Sequence, residues 1–270
     1  MDLRVYDELE LLSQAVARRL HQRIAAAAER SGQCLIGIPA GRTIVPVVAA
    51  LAAEFRRKPL DLRHVVLVMM DEYLTPSGHG LRLVDRDEKH SCVGFGDSQV
   101  RAVLSSAVGD ERGIPQLNLW YADPQDPAEY DDRIGAAGGI EEFIVASGAS
   151  DGHVALNPPG TQLSSTTRVV ELAATTRTDN LGTFPSFRSL ADVPTHGISV
   201  GLGTILSARH LSMVVHGQAK RTAFDRMMRG TEFDPAWPAT LIRAHSNVTV
   251  WADREAAANF VTNHQSEESA

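Results

Sequence analysis

The chain has 270 residues, 43% of them hydrophobic, enough to bury one large core or two small ones, and a formal net charge of -7. Its charges are mixed without a long run of either sign, which argues against nucleic acid as a partner, and no stretch nears the roughly 18 apolar residues of a membrane span. Two widely separated cysteines, Cys34 and Cys92, lack any CxxC or Cys/His spacing, which argues against a zinc site or a disulfide framework and for a reducing, cytoplasmic setting.

The N-terminus, Met1-Asp2-Leu3-Arg4, carries early charges and no apolar leader core. From about Glu8 to Arg30, apolar residues recur at helical spacing among Ala, Leu and Arg, and Ser31-Gly32 is the stop signal. Cys34 to Ile38 is a short apolar strand that leads through Pro39-Ala40-Gly41-Arg42-Thr43 into a helix from Ile44 to Phe55. Val65 to Met70 is a second buried strand ending in Asp71-Glu72-Tyr73, followed by a polar stretch containing Gly78 and Gly80. Leu117 to Tyr121 reads as a short strand, Pro127 to Ala137 as a helix, and Phe143 to Ala146 as a strand running into Gly148-Ala149-Ser150-Asp151-Gly152-His153. Ile198 to Val200 precedes a glycine turn at Gly201 and Gly203, Leu211 to Val215 is apolar, Ala219 to Met228 is helical, and Val248 to Trp251 is a last strand before a short helix from about Asp253.

This alternation predicts an α/β fold, modified Rossmann-like, with a mainly parallel sheet covered by helices on both faces. One domain over 1–263 with a polar tail at 264–270 is the expected division. In such sheets ligands gather beyond the carboxyl ends of the strands, where the winding direction reverses. Loop 39–43, the acidic pair 71–72 and loop 148–160 fall there.

Each of these segments has a chemical and an ordinary reading. In loop 39–43 the free N–H groups around Gly41, the Arg42 fork and the Thr43 hydroxyl suit a phosphate, although a glycine between strand and helix is commonly only a turn. The apolar run before Asp71 places a carboxylate near low-dielectric surroundings that raise its pKa towards that of a general base, whereas acidic residues at such places often cap a helix. In Asp151-Gly152-His153 the aspartate can orient an imidazole that titrates near neutrality, and the turn-rich Asn157-Pro158-Pro159-Gly160-Thr161 after it shapes a loop. Lys220 begins a helix after an apolar strand and offers a point charge to an anion. His64, His79 and His90 show no paired spacing, so the sequence offers no metal site.

Together these segments resemble the glucosamine-6-phosphate deaminase/isomerase family, which shares its fold with the 6-phosphogluconolactonases. The resemblance runs from about residue 33 to residue 255 and rests on Met70-Asp71-Glu72-Tyr73, the block Asp151 to Asn157, Leu163 to Arg168, and Val200 to Leu206. It implies that Asp71 moves a proton during enolisation of an opened sugar. It implies also that His153, supported by Asp151, opens the ring, and that the glycine loop (Gly41, Arg42, Thr43) and Lys220 hold the sugar phosphate. It implies no metal and no organic cofactor, because the carbonyl of the opened sugar already acidifies the adjacent C–H.

Four departures accompany the matches. Pro158 stands where the family carries a glutamate of the ring-opening group. The phosphate-contacting arginine has no counterpart in Leu181-Gly182-Thr183-Phe184, with Arg42 or Arg188 as replacements. Arg42 itself stands where a small residue is usual, and Val170 replaces a lysine of the allosteric site. The resemblance therefore points to a deaminase or aldose/ketose isomerase acting on a sugar phosphate. A lactonase-type hydrolase and a non-catalytic sugar-phosphate sensor are the alternatives. The oligomeric state is open, a homo-oligomer included.

Overall fold

The computed structural model of the chain describes residues 1–30, 32–78, 80–184 and 186–267. Ser31 and His79, and the end of the expected tail at 268–270, lie outside the described residues.

The chain begins with β1 (Asp2–Tyr6), α1 (Leu9–Ala28), β2 (Cys34–Ile38), α2 (Val45–Arg57) and β3 (Val65–Met69). A hairpin of β4 (Asp71–Ser77) and β5 (Gly80–Leu83) follows, then α3 (Cys92–Phe95), which continues through a π-helical stretch at Gly96–Arg101 into α4 (Ala102–Val108). Next come β6 (Leu119–Trp120), α5 (Pro127–Ala136), β7 (Ile140–Val145), β8 (Arg168–Glu171) and α6 (Ala174–Thr183). The chain closes with β9 (His196–Ser199), α7 (Leu202–Leu206), β10 (His210–Val215), α8 (Arg221–Arg229), β11 (Val248–Asp253) and α9 (Arg254–Glu267). The helix expected to be short from Asp253 thus runs past residue 264, where the polar tail was drawn.

Among the described residues, seven strands form a parallel sheet in the order β1-β11-β10-β7-β2-β3-β6. Its central strands are buried at every position, as a sheet covered on both faces requires, and β2 and β3 read as continuous apolar runs. One face packs against α1, α2 and α4 through Leu20, Val48, Phe55 and Leu104; the other carries Leu35, Val66 and Phe143 against Tyr130, Ile134 and Phe224 of α5 and α8. β7 starts three residues before the expected Phe143 because its two glutamates are paired within the fold. Buried Glu142 accepts from Arg19 at 2.8 Å, and Glu141 from Arg30 at 2.8 Å. Cys34 and Cys92 are buried, unpaired thiols.

A second, antiparallel sheet, in the order β5-β4-β9-β8, is absent from the sequence expectation. It corrects the reading of 74–83 as a polar stretch and of 198–200 as another strand of the parallel sheet. It also fixes where the chemistry sits, since Asp71 pairs with Ser199 at the point where the chain leaves β3 for β4. Among the described residues, no helix is long and apolar enough to cross a membrane.

Candidate active site

The winding of the parallel sheet reverses at β2 and β7, which are neighbours although the chain first builds outward from β2 through β3 to β6. Beyond their carboxyl ends lies a cavity of about 610 Å³, at the place where such a reversal leaves a crevice. Loop 39–43 after β2, Met70 and Asp71 after β3, residues 146–149 and His153 after β7, His216 to Lys220 after β10, and one side of α6 line it. All of Asp71, His153, Gly41, Arg42, Thr43 and Lys220 therefore meet in one cavity, with Asp151 buried directly behind His153. Arg188 does not line it, and neither do residues 157–160.

Asp71 and Glu72, adjacent in sequence, have opposite surroundings. Glu72 is 1% exposed and accepts four hydrogen bonds: from the N–H of Tyr73 (2.8 Å), Cys92 (2.9 Å) and Val93 (2.8 Å), and from the Ser91 hydroxyl (2.6 Å). It satisfies the free donors at the start of α3 and is a structural carboxylate. Asp71 faces the cavity, and its Oδ1 is enclosed with no hydrogen-bond partner among the described residues. Burial first, and then the charge of Glu72, push its carboxyl up to about 7, against the Cys92 thiol and the charge of His153. A carboxylate so placed exchanges protons near neutral pH.

In the loop after β7, His153 Nδ1 lies 2.6 Å from Asp151 Oδ1. Burial works against the charge on Asp151. The bonds from His153 and Thr175 outweigh it, so that the carboxyl is held well below its ordinary range. Being ionised it can only accept, so Nδ1 carries the proton and Nε2 is left as the working nitrogen. Asp151 Oδ2 accepts from the hydroxyls of Thr175 (2.6 Å) and Thr176 (2.9 Å) at the start of α6. This dyad explains Gly148, because a Cβ there would lie 2.2 Å from His153 Nδ1. Gly152 turns the loop at φ +66 with the Trp237 ring closing the space where a Cβ would stand. Asn157 is a buried pin: its amide donates to the carbonyls of Val154 (3.0 Å) and Val200 (2.7 Å), joining the loop to the end of β9.

At the other end, Lys220 Nζ donates to the Ser147 carbonyl at 2.6 Å. Burial lowers its pKa, opposed by the charge of Asp179. Exposed Arg42 stands near enough to add to the positive field on it. His216, at the end of β10, lines the cavity together with Thr43 and Lys220, and burial lowers its pKa.

Several of these residues carry no local sequence signal: Ser147, Asp179 and His216 come to the cavity through the order of the sheet, and Thr175 and Thr176 stand behind Asp151. Among the described residues, Asp151, His153 and Asp179 form a group with the spacing of metal ligands. Its donors are largely committed, however, with Nδ1 bonded to one Asp151 oxygen and two hydroxyls on the other. It is a hydrogen-bonded dyad with a second carboxylate, that of Asp179, beside it.

A family profile described as glucosamine-6-phosphate isomerases/6-phosphogluconolactonase matches residues 7–251. The chain is 32% identical over 257 residues to a glucosamine-6-phosphate deaminase of Shouchella clausii, covering 93% of this chain and 94% of that protein. It is 34% identical over 236 residues to one of Mycolicibacterium smegmatis, covering 87% and 84%. Among solved structures it resembles a monomeric glucosamine-6-phosphate deaminase with a TM-score of 0.78 at 25% identity, covering 96% of this chain and 99% of that one. The fold is also that of the 6-phosphogluconolactonase from Thermotoga maritima, with a TM-score of 0.63 at 17% identity, over 93% and 98% of the two chains.

Proposed function

Because the chain belongs to the glucosamine-6-phosphate isomerase/6-phosphogluconolactonase family, we propose that it converts an amino-sugar phosphate, glucosamine 6-phosphate or a close analogue, to the ketose phosphate and ammonia. The observation that carries this reading is Asp71: a cavity-facing carboxylate with an unpartnered oxygen and a pKa lifted to about 7.

Loop 39–43 and Lys220 hold the phosphate, with Arg42 supplying the guanidinium that the stretch Leu181-Gly182-Thr183-Phe184 lacks. His153 opens the ring, held in one tautomer by Asp151. Asp71 removes the proton from C2 of the opened aldehyde and returns it to C1, while one proton of the C2 ammonium passes to O1, so that the amine becomes an iminium. Water adds at C2 and ammonia leaves, giving the ketose phosphate. The ring-opening proton travels on His153 and the C–H proton on Asp71. A lactonase-type hydrolysis, with His153 activating water, is the second reading; the Asp151–His153 dyad would serve it, but it leaves Asp71 without work.

The test is incubation with glucosamine 6-phosphate, galactosamine 6-phosphate, simple hexose phosphates and 6-phosphogluconolactone, following sugars by NMR and ammonia separately. Ammonia release in step with ketose formation supports the proposal. Turnover of the lactone alone refutes it in favour of hydrolysis, and binding without turnover of any compound leaves a sensor.

A further inference from the structure

α6 places Asp179 on the cavity wall, where its carboxylate, that of Asp151 and the His153 ring offer polar atoms all within 4.8 Å of one another. Its Oδ2 accepts from the N–H groups of Ala149 (3.2 Å) and Ser150 (3.3 Å), which fixes the side chain to the loop that carries the histidine. Its Oδ1 has no hydrogen-bond partner among the described residues. Asp151, by contrast, has both oxygens occupied by His153 and the two threonines. Pro158, two residues before the exposed end of that loop, lines no part of the cavity.

We propose, resting on the function given above, that Asp179 is a positioning residue for ring opening, a second carboxylate that stabilises the His153 imidazolium while it carries a proton between two substrate oxygens. Nδ1–H is committed to Asp151, so Nε2 takes the proton from the anomeric hydroxyl O1–H. The C1–O5 bond breaks as C1=O forms, and O5 receives that same proton from Nε2. Nothing is oxidised or reduced and no other reactant is consumed. The imidazole is cationic only between the two transfers, and a carboxylate at this distance in a partly wet cavity favours that state by an amount worth about ten- to a hundredfold in rate.

Ring opening can be read apart from deamination. The Asp71→Asn protein lacks the base for C2 but keeps His153, so its acceleration of exchange between the α and β anomers of glucosamine 6-phosphate, followed by NMR saturation transfer, reports opening alone. We expect Asp71→Asn to speed this exchange over buffer. The double variant Asp71→Asn/Asp179→Asn should be about ten- to a hundredfold slower, with Kd for glucosamine 6-phosphate within about threefold. Asparagine keeps an oxygen for the Ala149 and Ser150 N–H groups, so a purely structural role for Asp179 would leave the rate unchanged. Equal exchange rates in the two proteins overturn the proposal. So does a loss explained by altered Kd, which assigns Asp179 to Lys220 and the phosphate, and so does an Asp71→Asn protein that never accelerates exchange beside an active wild type. Failure of the wild type to turn over any sugar phosphate overturns the underlying function instead, and the two results are distinct.

Discussion

Replacing Asp71 by asparagine trades activity for stability, and both sides follow from one environment. The ordinary pKa of 3.8 is raised to about 7, mainly by burial, which corresponds to about 4 kcal/mol of preference for the protonated form. A carboxyl raised on folding contributes stability that is fully present below its unfolded pKa and is lost as pH rises through the folded value. The wild type should therefore lose up to about 4 kcal/mol between about pH 4 and pH 7, and the asparagine variant should not. The amide gives part of this back by enclosing its own N–H groups, so the net expectation is a Tm several degrees above wild type at pH 8, shrinking to nothing near pH 4. Turnover should fall by about 10²- to 10⁴-fold, the usual contribution of a positioned general base. In the wild type the rate should drop about tenfold per pH unit below about 7, because only the ionised carboxylate accepts the C2 proton. Calorimetric scans at several pH values beside a pH–rate profile provide the assay. A Tm difference independent of pH, together with a rate that is flat through pH 6, would refute the reasoning.

Four further outcomes are expected. Glu72→Ala strips the partners from three backbone N–H groups and the Ser91 hydroxyl, so urea unfolding should show a loss of about 3–5 kcal/mol; a loss below about 1 kcal/mol would contradict the structural role given to it. Gly148→Ala puts a Cβ 2.2 Å from His153 Nδ1 and 2.8 Å from Asp151 Oδ1; the displaced dyad should cost about a hundredfold in kcat with far-UV circular dichroism unchanged. Arg42→Ala should raise KM by about tenfold with kcat nearly constant, since a phosphate anchor binds ground and transition states alike. Lys220→Ala should raise KM more, and competition by inorganic phosphate should weaken in both variants.

The features legible in the sequence were those whose signal is local. β2 and β3 announce themselves because strands buried on both faces are apolar at every position, and the loops after β2 and β7 carry glycines and chemistry within a few residues. The second sheet was illegible for the converse reason. β4 contains Thr75, Pro76 and Ser77, which are strand only through their pairing with β5, and β8 is four residues long and is held by β9. The role of Glu72 was ambiguous for a similar reason. Its partners Ser91, Cys92 and Val93 lie about twenty residues away, so nothing in Asp71-Glu72 says which carboxylate caps a helix and which faces the cavity. α6 is the extreme case: nothing in the polar run Thr175 to Asn180 marks it as part of a site, yet it supplies the hydroxyls behind Asp151 and the carboxylate whose charge acts on Lys220.

The shared frame also bears on which reaction the cavity suits. Opening a sugar ring and hydrolysing a sugar lactone both need a phosphate anchor at one end and an oriented imidazole at the other, and loop 39–43, Lys220 and the Asp151–His153 dyad meet either demand. Only abstraction of a C–H proton needs a base whose pKa stands near neutrality without a cation to neutralise it. Asp71 meets that condition at the expense of stability at neutral pH, with an enclosed oxygen that has no hydrogen-bond partner among the described residues. An asparagine would relieve the cost and keep the β4–β9 pairing, which uses backbone groups alone. A side chain held in such a state beside a sugar-sized cavity is explained by what it does to a substrate, because the folding of the chain gains nothing from it.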